Sequence, residues 1–323
     1  MWAYVVRKLL FNIPVYLGII LIVMAALRVH DPVWAYLGKN ATQQEYEDYR
    51  AQVGLDRPFL EQYAVFLWDS ARLDFNARSW QYDHMEVGDM LRAAVVPSLA
   101  LTVPALILTS LISIGLGLIS SFNRGRPLDR TLVIGAVLGM CVSFLVYIIV
   151  GQYFGAYQLK EWVGEQVFAI DFQVSDSADR ANLSQWPHFY LLPVMISVIV
   201  AMGYDTRFYR AVMVEECTRD YIVTAQAKGA SKSKILFVHM LKNAMIPIIT
   251  RIMITLPFLV TGSILLEMYF GIPGMGKVLI TAISGKDFPV IQVFTAIFTA
   301  LFIATNILTD VLYALVDPRI RLS

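Results

Sequence analysis

Residues 215–230 read EECTRDYIVTAQAKGA, a charged and helix-prone stretch that lies between long apolar segments. Gly229 is placed where one helix would end and another begin, because glycine takes the left-handed backbone conformation that residues with a Cβ resist. Ser231 follows at the position of an N-cap for the second helix. The stretch therefore predicts a short helix-turn-helix that projects from the membrane between two spanning segments.

The composition indicates a membrane protein. Of the 323 residues, 57% are hydrophobic and only 16% are charged, and the apolar residues fall into runs too long for a soluble core. Most runs are long enough to cross about 30 Å of hydrocarbon at about 1.5 Å per helical residue. Six spans are expected: Leu9–Leu27, Ala94–Phe122, Thr131–Gln158, Phe189–Tyr204, Ala244–Leu266 and Phe288–Thr309.

Lysine and arginine in the short loops set the expected orientation. They are concentrated at Arg7 and Lys8, in 124–130, in 207–251, and at Arg319 and Arg321. Because cytoplasmic loops carry an excess of basic residues, both termini are expected in the cytoplasm. The segment 30–92 is then extracytoplasmic, since long loops translocate largely regardless of charge. Leu9–Leu27 is longer than the apolar core of a signal peptide, which favours a retained signal anchor.

The extracytoplasmic segment has helix signals of its own. Residues 43–50, QQEYEDYR, predict a polar helix, and GLDRP at 54–58 predicts its end. Gln62–Asp74 then has the apolar and aromatic pattern of an amphipathic interfacial helix.

Four further motifs accompany residues 215–230. They are LDR at 128–130, LLEMYFGIPGMG at 265–276, DFPV at 287–290 and a terminal pattern that runs from Asn306 through Asp310 and Tyr313 to Asp317-Pro318-Arg319. Taken in this order, the five motifs resemble the permeases of bacterial ATP-binding-cassette (ABC) importers, and among them the oligopeptide, dipeptide and nickel group. Residues 74–79, DFNARS, depart from that group because they lack the glycine of its turn.

The resemblance implies an all-α integral membrane protein with six transmembrane helices of the type I ABC importer permease fold. An extracytoplasmic helical insertion would lie between helices 1 and 2. The whole chain, 1–323, is expected to form a single transmembrane permease domain, with the insertion at 30–92 and a cytoplasmic coupling loop at 205–250. Its expected location is the bacterial inner membrane.

The resemblance also implies a function and partners. The chain would form half of the transmembrane pathway of an ATP-driven importer for peptides, with nickel, opines or oligosaccharides as alternative cargoes. The implied partners are a second homologous permease, two ATPase subunits, an extracytoplasmic solute-binding protein and the lipid bilayer, and nucleic acid is not among them. No cofactor and no enzymatic activity are expected in this chain, because ATP and magnesium would bind to the ATPase subunits.

Two groups of site residues follow. The resemblance assigns contact with an ATPase subunit to Glu216, Asp220, Tyr221, Ala225, Lys228, Gly229 and Ser231. An outer gate is expected at Glu267, Pro273, Gly274 and Gly276, because short glycine-rich elements beside the end of a span can absorb a backbone change.

Other interpretations of these residues compete with the functional ones. Residues 215–230 could be an ordinary solvated loop, and Gly271–Gly276 a plain turn, since Ile272-Pro273-Gly274 satisfies turn chemistry unaided. Glu267 and Asp310 could contact substrate or serve only in structural hydrogen bonds.

A self-contained membrane enzyme or secondary carrier is the competing class of function. The sequence contains no H-E-x-x-H motif and no nucleophile elbow, and GMGKV at 274–278 lacks the spacing and the hydroxyl of a phosphate-binding loop. The four histidines have no metal-ligand spacing, and the two cysteines imply no disulfide framework.

Overall fold

A computed structural model of the chain describes residues 2–29, 31–38, 41–82, 85–172, 185–262 and 264–316. The predicted features at Asp317, Arg319 and Arg321 lie outside these ranges. Sixteen α-helices are described: α1 Trp2–Ala26, α2 Pro32–Leu37, α3 Gln43–Gln52, α4 Phe59–Arg72, α5 Val87–Phe122, α6 Pro127–Cys141, α7 Phe144–Gly151, α8 Leu159–Val163, α9 Trp186–Cys217, α10 Asp220–Ala227, α11 Lys232–Lys234, α12 Leu241–Asn243, α13 Met245–Gly262, α14 Ile264–Tyr269, α15 Met275–Ser284 and α16 Phe288–Val316. Two π-helical segments, Gln152–Gln158 and Ile235–Met240, join α7 to α8 and α11 to α12.

The residue contacts divide the chain into two compact units. The first unit contains residues 1–98 and 273–308, and the second contains residues 99–272 and 309–321. The chain passes from one unit to the other within α5, between Ile272 and Pro273, and within α16.

Among the described residues, the structure has four to six spans, depending on whether each of two bent helix pairs is one span. Four helices are long and apolar enough to cross a membrane, at Val6–Ala26, Val87–Phe122, Trp186–Cys217 and Phe288–Tyr313. Two bent pairs bring the total to as many as six, namely Pro127–Cys141 with Phe144–Val163, bent by 92°, and Lys232–Asn243 with Met245–Thr255, bent by 59°. The prediction of a continuous third span over Thr131–Gln158 is therefore wrong.

The break in the third span lies at Val142 and Ser143. Val142 has an extended backbone, with φ −88° and ψ 132°, and Ser143 is likewise extended at the start of α7. A helix that stops inside an apolar environment leaves carbonyl groups without intrahelical partners. The Tyr147 hydroxyl donates to the carbonyl of Gly139 at 3.0 Å and so satisfies one of them.

The insertion in the first unit folds into α2, α3 and α4. Thr42 and Glu45 form a reciprocal capping box at the start of α3, as its polar sequence favours. Helix α4 begins at Phe59, earlier than the predicted Gln62, because Pro58 takes the N-cap position. One face of α4 packs on α1, where the Tyr63 hydroxyl donates to the Leu17 carbonyl at 2.8 Å.

A buried carboxylate fixes the end of the insertion to the beginning of α16. Asp287 is fully buried, and its carboxylate accepts hydrogen bonds from the Ser79 hydroxyl and from the amides of Trp80 and Gln81, the latter two at 3.2 and 3.3 Å. An ionised carboxylate with several donors can remain buried at a small cost. The D-F-P-V motif therefore has a structural role in the first unit.

Within the second unit, an ion pair joins α9 to the beginning of α6. Arg210 donates from Nε and Nη2 to the two carboxylate oxygens of Asp129 at 2.7 and 2.8 Å. The Ser120 hydroxyl and the Gly125 amide donate to the same carboxylate at 2.5 and 2.9 Å. The fork of the guanidinium matches the carboxylate, so the geometry is that of a strong charge-assisted pair.

A second ion pair joins α9 to α13. Arg251 Nε donates to Asp205 Oδ1 at 2.9 Å, and its guanidinium lies 5.7 Å from the centre of the Phe208 ring. Helix α5 crosses α9 closely at Gly117, where a Cβ would lie only 3.0 Å from the Cβ of Tyr209. Small residues at a crossing allow two helix backbones to approach each other within a membrane.

We expect Asp129→Asn to lower the free energy of unfolding by about 3 kcal/mol, because it removes one charge of a largely buried pair and leaves the other uncompensated. The matched control is Arg219→Gln, which removes the exposed pair of Arg219 with Glu215 and should cost less than about 1 kcal/mol. Denaturant titration of the purified chain in mixed micelles measures both values. Equal losses in the two variants would contradict a stabilising role for the Asp129–Arg210 pair.

Candidate functional site

Residues 215–230 form the helix-turn-helix that their sequence predicts. Helix α9 ends at Cys217, and α10 begins two residues after Thr218, with Asp220 in its first turn, where a negative charge favours the helix dipole. The turn after α10 has Gly229 at φ +75°. Ser231 accepts a hydrogen bond from the amide of Lys234 and caps the next helix. The predicted conformations of Gly229 and Ser231 are confirmed.

One face of α10 is buried in the protein's own core. Ile222 and Ala225 are 3% and 7% exposed. Ile222 belongs to an apolar cluster with residues of α5, α9 and the chain around α13, namely Leu118, Tyr209, Met213, Met240, Ala244 and Ile248. Helix α10 is thus fixed to the ends of three longer helices rather than suspended in solvent.

The opposite face of α10 is open to a partner. Asp220 and Lys228 are exposed, and Val223 between them leaves 61% of its surface uncovered. In the segment packed against α10, Phe237 and Val238 are 61% and 51% exposed. Apolar side chains of this size beside charged ones are typical of a contact surface.

Tyr221 and Glu216 lie between the buried and the exposed faces. The Tyr221 hydroxyl donates a hydrogen bond to the Glu216 carboxylate, and both residues are half-buried. Burial, together with that carboxylate, raises the pKa of Tyr221 to about 12. The phenol therefore stays a neutral donor at physiological pH, and the contact holds the start of α10 to the last turn of α9.

The structure places the predicted docking residues in two different settings. Asp220, Lys228, Gly229 and Ser231 are exposed, whereas Glu216 and Tyr221 are half-buried and Ala225 is buried. Ala225 therefore faces the core and positions the helix, although it was expected on the contact surface. Phe237 lies in the run 235–238, whose apolar side chains were expected to leave surface for a partner, whereas Val223 was not singled out. The signal that could have found Val223 is its helical spacing relative to Ile222 and Ala225.

Of the residues expected at the outer gate, Glu267 belongs to the second unit and the other three belong to the first. In the second unit, Glu267 is fully buried on α14, and Phe270 and Ile272 belong to an apolar cluster with Phe172. The amide of Phe172 donates to the Phe270 carbonyl at 3.0 Å. The turn after α14 is thus bonded to the chain that follows α8.

Gly271 is the residue of this turn that sequence reasoning did not single out. Its φ is +67°, and a Cβ there would lie 1.6 Å from Asp171 Oδ1. The left-handed backbone therefore favours glycine, and a Cβ would also displace the exposed Asp171 side chain. The signal was its position directly after α14, where a left-handed residue commonly ends a helix.

Pro273, Gly274 and Gly276 belong to the first unit. Gly274 precedes α15 as its N-cap with an extended backbone, and Gly276 lies in the first turn of that helix and is buried. The Met275 amide donates to the Ser98 hydroxyl at 2.8 Å, and Met275 is only 3% exposed. The start of α15 is therefore packed and bonded rather than free at a surface. Asp310, the other acid singled out, is half-buried on α16.

Comparison with known proteins gives matches along the whole chain. Residues 113–322 match the family described as binding-protein-dependent transport system inner membrane component. The chain is 30% identical over 323 residues to a probable peptide ABC transporter permease of Sinorhizobium fredii, covering 99% of this chain and 100% of the relative. It is 31% identical to the glutathione transport system permease of Shigella flexneri and 29% identical to the dipeptide transport system permease of Escherichia coli, in both cases over 99% of each chain.

A solved structure shares the fold. The inward-facing MetNI methionine ABC transporter contains a chain that superposes with a TM-score of 0.56 at 17% identity, over 71% of this chain and 96% of the other. The helical fold of this chain is therefore shared with a chain of an ABC transporter. The chain belongs to the family of binding-protein-dependent transport system inner membrane components and is the permease subunit of an ABC importer.

Proposed function

We propose that this chain forms half of the transmembrane pathway for short peptides, in a complex with a second homologous permease and two ATPase subunits. An extracytoplasmic solute-binding protein delivers the peptide. ATP and magnesium bind to the ATPase subunits, and this chain converts their movement into opening and closing of the pathway. Both termini lie in the cytoplasm, in agreement with the distribution of lysine and arginine.

The observation that carries this proposal is that α10 is buried on one face and exposed on the other. Its inner face is part of the core at the ends of α5, α9 and α13, and its outer face presents Val223 between charged residues. A force applied to the outer face by an ATPase therefore reaches three spanning helices through packed side chains, which transmit displacement because protein cores are closely packed. A solvated loop would not need the buried face.

The relatives support peptides as the cargo. The permeases that match over the full length are named for peptides, dipeptides and glutathione, which is itself a small peptide. This agreement favours peptides over the nickel, opine and oligosaccharide alternatives. None of these three relatives is named as a self-contained carrier.

Residues 267–276 serve as the outer gate in this proposal. The chain crosses between the two compact units at Ile272 and Pro273, with Gly271 in the left-handed conformation that glycine adopts most readily. A segment of this kind can change its backbone while the helices on either side keep their own packing.

The coupling role of α10 is tested by Gly229→Asp, with Gly229→Asn as the matched control. Nothing lies within 4 Å of the position of a Cβ, so neither change creates a clash, and Asn tolerates the left-handed conformation. We expect the Asp variant to insert and assemble but to lose transport, because it adds a negative charge to the contact surface. The Asn variant should retain most uptake. Normal peptide uptake by Gly229→Asp would refute the docking role.

The assignment of ATP binding to the ATPase subunits is tested with the isolated chain. We expect no photo-crosslinking by an azido-ATP analogue, because the sequence has no phosphate-binding loop. The assembled complex, in which the ATPase subunits should be labelled, is the positive control. Labelling of this polypeptide on its own would favour a self-contained transporter.

The gate is tested by Met275→Cys in a chain whose Cys141 and Cys217 have been replaced. We expect a membrane-impermeant maleimide to react slowly in the state described here, because Met275 is buried, and at a different rate once ATP is bound. A cysteine at Met85, which is 53% exposed in the insertion, is the control whose rate should not change. Identical Met275→Cys rates in both nucleotide states would identify the segment as a packed turn only.

A further inference from the structure

The first unit contains a cavity of about 400 Å³ that the transport pathway does not explain. It is lined by the end of α1, by α4, by the turn at 52–57 and by the beginning of α16, and it opens to the surface. This volume lies within the range of about 300–1,000 Å³ that is usual for small-molecule sites. Three charged side chains line it, Arg28, Arg57 and Asp69. Arg57 pairs with Glu61, whereas Arg28 and Asp69 have no ion-pair partner among the described residues.

The cation is Arg28, just after α1. Its guanidinium donates to the side-chain carbonyl of Gln62 and lies 4.9 Å from the centre of the Phe59 ring. The residue is half-buried, and among the described residues no carboxylate is within ion-pair distance of it. Burial and the nearby Arg50 both lower the pKa of Arg28, which is the direction expected for a cation without an anion beside it.

The carboxylate is Asp69 on α4. It also lines the cavity and is half-buried. In the described part of the chain its side chain has no hydrogen-bond donor and no basic partner within ion-pair distance. Ionised groups that are withdrawn from water are normally paired or hydrogen-bonded. Asp69 therefore offers an acceptor site for a cationic group of a ligand.

The spacing of Gln62 and Asp69 on α4 indicates how far apart the two charged groups lie. Gln62, which holds Arg28, and Asp69 are seven residues apart on α4, so they lie on the same face and about 10 Å apart along the axis. An extended peptide spans about 3.3–3.6 Å per residue. Two or three residues therefore fit between the charges, with a terminal carboxylate at Arg28 and a terminal ammonium at Asp69.

The walls between the charges are apolar. Val65, Phe66 and Val293 line the cavity beside α4 and α16, and Trp80 and Phe288 form an aromatic pair with ring centres 5.3 Å apart. Aromatic and aliphatic surfaces of this kind accept side chains of varied shape, while the polar groups fix the orientation of a ligand.

We propose that this cavity is a binding site for a short zwitterionic peptide, with Arg28 receiving the terminal carboxylate and Asp69 the terminal ammonium. The choice of a peptide as the ligand rests on the proposed function, whereas the requirement for opposite charges at the two ends rests on the cavity alone. The site lies entirely within the first unit and is separate from the segment proposed as the gate. It gives the permease a means of binding peptide independently of the solute-binding protein.

The first test uses the wild-type complex in nanodiscs without its solute-binding protein. The probe is radiolabelled alanyl-phenylalanine, compared with its N-acetyl and C-amide derivatives. We expect each blocked derivative to bind at least about tenfold more weakly than the free dipeptide, because each loses one charge-assisted contact. Equal binding of all three, or no binding, would overturn the proposal without any variant being needed.

The second test determines which end of the peptide binds to Arg28 and which binds to Asp69. Arg28→Gln should weaken binding of the free dipeptide at least about tenfold and leave binding of the C-amide unchanged. Asp69→Asn should also weaken binding of the free dipeptide at least about tenfold and leave binding of the N-acetyl form unchanged. Arg92→Gln and Asp89→Asn are matched controls, since that pair is exposed and lies outside the cavity. Val65→Trp, which fills the cavity without altering a charge, should also abolish binding.

Two outcomes would contradict the proposal. Affinities that do not change in Arg28→Gln and Asp69→Asn would place the bound peptide elsewhere. Binding that is lost in phosphatidylethanolamine nanodiscs but retained in phosphatidylglycerol nanodiscs would assign the cavity to a zwitterionic lipid headgroup. ATP-driven uptake with the solute-binding protein is measured in parallel. Its failure in the wild type would refute the proposed function, whereas uptake without Arg28- and Asp69-dependent binding would refute only this site.

Discussion

The Asp129–Arg210 ion pair fixes the position of α9 relative to α5 and α6 in the second unit. A charged group within or next to a spanning helix is tolerated only when it is paired or reaches water. Here the pairing is bidentate, and the carboxylate also receives the Ser120 hydroxyl and the Gly125 amide. The ends of α5 and α6 are thereby bonded to α9, the helix that continues into α10. Any displacement of α10 along α9 must move these helices together or break a buried ion pair.

The second ion pair extends the same constraint to α13. Asp205 lies five residues before Arg210, on a different side of α9, and binds Arg251. The apolar cluster around Met213 and Ile248 occupies the same end of these helices. Charged pairs fix the relative height of the helices, because a shift of one turn would separate them, and apolar packing fills the space between them. Helix α10 is therefore connected to a set of helices rather than to one.

The sequence predicted the helical class, the number of spans and the turn at Gly229, because these features depend on local composition and on single residues. It did not predict the bend at Val142–Ser143, because no proline or glycine stands at those two positions. The hydropathy of the run is also the same whether its helix is straight or bent. Asp129 was recognised only as part of a motif, because its partner Arg210 is 81 residues away. Ala225 was expected at the surface because small residues carry little signal of the face on which they lie.

Gly229 and Gly271 show that the same left-handed conformation can serve two different purposes. Nothing lies within 4 Å of a Cβ position at Gly229, whereas a Cβ at Gly271 would collide with Asp171. At Gly229 only the left-handed backbone favours glycine, and the space around the Cβ position is open. At Gly271 the neighbouring chain occupies that space and forms a hydrogen bond to the adjoining carbonyl. Any movement of this turn must therefore first separate residues 171 and 172 from it.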